Sequence, residues 1–93
     1  MAISATYYGS NSWLIEIDGI KILIDPWLTG ELVFPPGKWF FYGKHRIDCI
    51  IPDHIDVILL TQALPDHLHQ ATLKILPKSI PIVCSINCVK KIE

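Results

Sequence analysis

Leu59-Leu60-Thr61-Gln62-Ala63-Leu64-Pro65-Asp66-His67-Leu68-His69-Gln70 runs from an apolar stretch through a proline into a second apolar pattern of different period. The run Ile55 to Leu60 is short, β-branched at Val57 and Ile58, and ends at polar residues, which predicts a buried strand. Pro65 breaks that pattern. Leu68, Leu73, Ile75 and Leu76 then resume at helical spacing, so a helix over Gln70 to Leu76, stopped by Pro77, is expected. Asp66, His67 and His69 are thereby placed at the carboxyl end of a sheet strand, where open α/β sheets bind their ligands.

Upstream, Trp13-Leu14-Ile15-Glu16-Ile17 and Ile20-Lys21-Ile22-Leu23-Ile24 flank Asp18-Gly19. Asp-Gly between two β-rich runs signals a tight hairpin. The strands are nearly continuous in apolar residues, which predicts cover on most of both faces, as in a layered sandwich. Ile3 to Tyr8 reads as a preceding strand, with Gly9-Ser10-Asn11-Ser12 as turn chemistry. Asp25-Pro26 ends the hairpin, because proline biases the residue before it and interrupts the ladder. Downstream, Ile82-Val83-Cys84 returns as a parallel strand, making a strand–helix–strand crossover. A final helix starts near Ser85 or Asn87.

These two segments resemble the metallo-β-lactamase-fold hydrolases. The signature of that family is Thr-His-x-His-x-Asp-His after a buried strand. Here Thr61, Asp66 and His67 match, while Gln62 and Leu64 replace the first two histidines. The phrase from Ser12 to Leu28 is similar to the ascorbate-phosphate-lactonase-like branch. The resemblance implies an α/β fold: the N-terminal half of an αββα sandwich, with a mixed sheet and helices on one face. Residues 1–93 would then form one partial domain.

The same resemblance implies a metal-dependent hydrolase that is inactive alone, with zinc or manganese as cofactor. Asp66 and His67 carry over as second-site metal ligands, and His69 is the candidate third. The first site cannot form as in the family, and the later ligands would lie beyond residue 93. A subgroup of the family carries Thr-Gln-x-Leu-x-Asp-His, which leaves a one-metal site open. Asp25 resembles the Asp that follows the hairpin and is expected to orient or turn rather than to ligate. Read from the residues alone, Asp66 is equally a helix N-cap, and His67 a hydrogen-bonded histidine at a sheet edge.

Leu28 to His54 reads as a long loop rich in glycine, proline and aromatics. Loops of this length are functional or disordered, and disorder lacks aromatics. Trp39 and Tyr42 are therefore candidates for the wall of a substrate pocket, the alternative being a hydrophobic flap. Lys44, His45 and Arg46 read as a solvated basic patch.

Composition narrows the classes. The net charge is −1, from eight basic and nine acidic residues, with no basic stripe, which argues against nucleic acid. No apolar run nears the ~18 residues of a membrane span, and Met1 to Ala5 lacks the features of a signal peptide. A cytoplasmic location is the default. Cys49, Cys84 and Cys88 are an odd set with no Cys-x-x-Cys pair, so free, buried thiols are expected. Hydrophobic residues make up 51% of 93, with a mean hydropathy of +0.38. A chain this short buries only about two-thirds of its unfolded surface. The excess apolar surface points to a homo-oligomer or to a missing C-terminal half. The substrate is an unidentified small molecule. The alternative function is a non-catalytic binding module that uses the aromatic loop as its contact surface.

Overall fold

The tight turn at Asp18-Gly19 starts the sheet. Both residues take left-handed backbone (φ 49° and 84°), the geometry that Asp-Gly supplies at low cost. The computed structural model describes residues 2–33, 42–45, 49–64 and 66–92. Around that turn, β2 (Ser12–Ile17) and β3 (Ile20–Ile24) pair antiparallel, with Ile17 opposite Ile20 and Trp13 opposite Ile24. β1 (Ile3–Gly9) pairs antiparallel with β2, its register shifting between Tyr7 and Gly9.

β6 (Val57–Leu60) lies parallel to β3, and β7 (Ile82–Cys84) lies parallel to β6. The result is a mixed sheet in the order β1-β2-β3-β6-β7. Helix α1 (Gln70–Ile75) joins β6 to β7, and α2 (Ile86–Ile92) follows β7. The α/β class and the mixed sheet with its helices on one face are as the sequence predicts. Ser85 accepts the amide of Cys88 through its carbonyl at 3.0 Å, at the start of α2.

One face of the sheet is the core. Leu14, Leu23, Ile58 and Leu60 point to it and pack with Leu28, Leu68 and Leu76 and with Cys88 of α2. Full burial of such a side chain contributes about 1.5–3 kcal/mol. On the other face, among the described residues, Ile3, Tyr7, Trp13, Ile20 and Val83 are exposed, while Ile15, Ile17, Ile22, Ile24, Val57 and Leu59 are half-buried.

The long loop is also more structured than its composition suggests. β4 (Glu31–Val33) and β5 (Tyr42–Lys44) form a second, two-stranded antiparallel sheet. Three-residue strands are too short to show an alternation, and Gly43 hides one of them. Leu32 is nearly fully buried, so this small sheet is anchored. Trp39 lies outside the described residues. Tyr42 lies in β5, opposite Val33.

Candidate functional site

β1, β3 and β6 run in the same direction, so their carboxyl ends share one edge of the sheet. Four segments meet there: the β1–β2 turn with Asn11, the end of β3 with Asp25, Thr61 just after β6, and the Asp66-His67 turn. The sequence places Asp66 and His67 at a strand-to-helix turn, and the structure sets them there.

Asp25 is the centre of the arrangement. It is only 3% exposed and holds a left-handed backbone at φ 44°, unusual for a residue with a side chain. Its amide donates to the Leu59 carbonyl at 2.9 Å, which ties the strained residue to β6. Its carboxylate accepts the Thr61 amide at 2.8 Å and the Thr61 hydroxyl at 2.6 Å. The same carboxylate lies 2.7 Å from Nδ1 of His67. A carboxylate is an acceptor only, so Nδ1 carries the proton and donates it to Asp25. Thr61 Oγ1, at 3.0 Å from Nδ1, lies within reach of the same proton.

That bond fixes the other nitrogen. With Nδ1 protonated, Nε2 of His67 keeps its lone pair and faces Asn11 Nδ2 at 3.4 Å and Asp66 Oδ2 at 3.6 Å. Asn11 also donates to Asp66 Oδ2 at 3.1 Å. The second carboxylate oxygen, Asp66 Oδ1, is buried and has no hydrogen-bond partner. An orphaned buried carboxylate oxygen is costly, by about 1–3 kcal/mol or more for a charged group. Its need would be met by a cation. A carboxylate oxygen and an imidazole lone pair side by side are a suitable donor pair for zinc or manganese.

His69 is not brought to this pair. It forms the N-cap of α1: Nδ1 accepts from the Thr72 amide at 3.3 Å and from the Thr72 hydroxyl at 2.8 Å. Its Nε2–H donates to the Glu31 carbonyl at 2.9 Å. Both nitrogens are engaged, and the ring is 9% exposed. The capping role that the sequence offered to Asp66 therefore falls to His69. Among the described residues no three His, Cys, Asp or Glu side chains converge as a metal-binding group. Gln62 and Leu64 are exposed. Cys84 and Cys88 are free thiols, Cys88 fully buried, and Cys49 Sγ lies 3.6 Å from the His45 ring.

Around the site the chain is pinned by side-chain-to-backbone bonds. Ser12 Oγ accepts the Trp27 amide at 3.0 Å, and Thr72 Oγ1 accepts the Leu28 amide at 2.9 Å. His45 is not part of a solvated patch. Its ring stacks on Trp27 with centroids 3.7 Å apart, and its Nε2 lies 2.8 Å from the Trp27 carbonyl. Arg46 lies outside the described residues.

Asn11 and Ser12 escaped the sequence reading, which saw only turn formers at those positions. A polar pair at the carboxyl end of a first strand was the one available signal. No helix among the described residues is long and apolar enough to cross a membrane.

Comparison with known proteins identifies the family of the fold. A family model described as a beta-lactamase superfamily domain matches residues 4–90. The chain is similar to a UPF0173 metal-dependent hydrolase from Ignicoccus hospitalis, with 29% identity over 70 residues. The match covers 74% of this chain and 26% of that protein, so the chain spans about a quarter of the length of this curated relative. No solved structure matches.

Proposed function

The chain belongs to the beta-lactamase superfamily, and from that premise we propose that it carries half of the metal site of a metal-dependent hydrolase. Asp66 and His67 are the ligands, with Asp25 as the residue that orients His67. The observation that carries this reading is the pairing of an orphaned Asp66 Oδ1 with a His67 whose Nδ1 is held by a carboxylate. Histidines that bind metals characteristically donate their other ring N–H to a carboxylate, which fixes the tautomer and raises the basicity of the ligating nitrogen.

A bound divalent cation supplies Lewis acidity and lowers the pKa of water. The chain's own residues do the rest. Asp25 holds the His67 proton at Nδ1, Thr61 holds Asp25, and Asn11 holds one oxygen of Asp66, leaving the other free. A catalytic zinc takes three protein ligands. Two donors alone bind weakly, so this chain by itself is expected to be inactive, with the remaining ligands supplied from elsewhere. Zinc and manganese are the cations that suit the pair. The substrate is a small molecule, and Trp39 and Tyr42 are the residues assigned to its wall.

Equilibrium titration of the purified chain with zinc and with manganese, with and without the double substitution Asp66→Ala and His67→Ala, tests the proposal. The expected result is weak binding that is lost in the double variant. Unchanged metal affinity in the double variant would overturn the assignment.

A further inference from the structure

Asn11 stands in the turn between β1 and β2, and that turn is held on both sides of it. Ser10 takes left-handed backbone (φ 50°), and its carbonyl accepts the Tyr7 hydroxyl at 2.8 Å. Ser12 is fully buried and accepts the Trp27 amide. The Asn11 side chain thus starts from a fixed point and reaches the strand-to-helix turn 55 residues further along the chain. Its hydrogen bonds there all run through Nδ2: 3.1 Å to Asp66 Oδ2, 3.4 Å to the Asp66 carbonyl and 3.4 Å to His67 Nε2.

Each of those three partners is an acceptor, because the His67 proton is held at Nδ1 by Asp25. Asp66 Oδ2 and His67 Nε2 lie 3.6 Å apart. Two acceptors facing each other so closely repel unless positive charge stands between them. The Asn11 N–H groups supply it here, and a divalent cation would supply more of it.

The spacing suits a cation as well. Asp66 Oδ2, His67 Nε2 and the amide atom facing them form a triangle with sides of 3.1, 3.4 and 3.6 Å. Three ligands at ~2.0–2.2 Å around a tetrahedral cation stand about 3.3–3.6 Å apart. The triangle already has the dimensions of one face of a ligand shell. An asparagine amide presents either N–H or carbonyl oxygen from the same place, by a half-turn of its last bond that barely alters its shape. Carbonyl oxygen is a ligand for manganese and similar hard cations, beside the imidazole and carboxylate that zinc also accepts.

We propose that Asn11 is the third cation ligand of this chain, its amide turning over so that Oδ1 joins Asp66 and His67 on zinc or manganese. The proposal rests on the half-site reading above and adds to it a donor outside the His, Cys, Asp and Glu types. A neutral oxygen is a weak ligand, but it raises the donors within the chain to three, the number a catalytic zinc takes.

The test is titration calorimetry of the full 93-residue chain with zinc and with manganese. The parent is compared with Asn11→Ala, Asn11→Asp and the double variant Asp66→Ala with His67→Ala. Asn11 is not among the residues with left-handed backbone, so alanine there leaves the turn in place, as circular dichroism checks. Asn11→Ala is expected to weaken binding about tenfold or more, since losing a ligand costs no less than losing a residue that only orients one. Asn11→Asp puts a charged oxygen at the same reach and is expected to tighten binding about tenfold or more, which keeps the proposal testable if the alanine variant does not fold. The nitrogen-15 signal of the Asn11 side-chain amide should move during the zinc titration of the parent, as its N–H groups leave Asp66. A folded Asn11→Ala variant that binds as tightly as the parent, while the double variant loses binding, would overturn the third ligand and leave the half-site standing. An Asn11→Asp variant that binds no more tightly than the parent would do the same. A parent chain that binds neither cation, or a double variant that binds as the parent does, would overturn both.

Discussion

His67 and His69 stand two residues apart in one turn, and the fold uses them in opposite ways. His69 is turned inward, where both nitrogens are taken by Thr72 and the Glu31 carbonyl. His67 gives one nitrogen to Asp25 and holds the other against Asp66 and Asn11. The first ring closes a helix end and ties α1 to β4. The second is oriented by a carboxylate, and its Nε2 accepts only a long bond, 3.4 Å, from the Asn11 amide. A histidine's role is set by what engages its second nitrogen, which residue spacing does not reveal.

The comparison can be broken most forcefully at Asp25, which stands behind His67 and has no counterpart behind His69. Asp25→Ala removes the acceptor for Thr61 and His67 and puts alanine in left-handed backbone. A loss of about 3–4 kcal/mol in urea unfolding is expected. Asp25→Asn should recover much of that loss, since asparagine tolerates the conformation. Metal affinity should still fall by about 10–100-fold, because the orienting carboxylate is gone.

His69→Ala comes next, at about 2–3 kcal/mol, from the lost cap of α1 and the lost bond between the ring and the Glu31 carbonyl. Its effect on metal content should be slight. His67→Ala reverses the pattern, with about 1 kcal/mol of stability lost, since Asp25 keeps both bonds to Thr61, but with metal binding in a titration abolished. Should His67→Ala prove the more destabilising of the two, the contrast between the rings would fail.

The smallest effect expected lies away from both rings. Asp56 accepts the Lys21 amide, which holds its carboxyl below the usual range, with His54 adding to the shift. A depressed carboxyl contributes stability that is present above its unfolded pKa and is lost as pH falls through the folded one. Urea midpoints should therefore drop in the window just below the ordinary carboxylate range. Asp56→Asn should flatten that part of the profile.

The parts of the fold that were legible were local. Asp18-Gly19 announced its hairpin because the turn type requires left-handed backbone at both positions, and Val57 to Leu60 announced a strand by branching and length. What stayed hidden depended on distant partners. β4 and β5 are three residues each and exist through their mutual pairing and the burial of Leu32. Asn11 looked like turn filler because its partner, Asp66, is 55 residues away. Asp66 looked like a cap because it directly precedes the apolar pattern that resumes at Leu68, ahead of the helix itself. With α1 beginning at Gln70, the cap passed to His69. The apolar pattern of the hairpin was read correctly on both faces, yet a pattern does not say whether a covering layer is present.

The claim that Asp66 and His67 form a cation half-site, oriented by Asp25, is tested most directly by nitrogen-15 NMR of the four imidazoles during a zinc titration. The account predicts a His67 protonated at Nδ1 whose Nε2 signal moves with added zinc, while both His69 signals stay in place. A His67 signal that ignores zinc, or a His69 ring that responds in its stead, would contradict it.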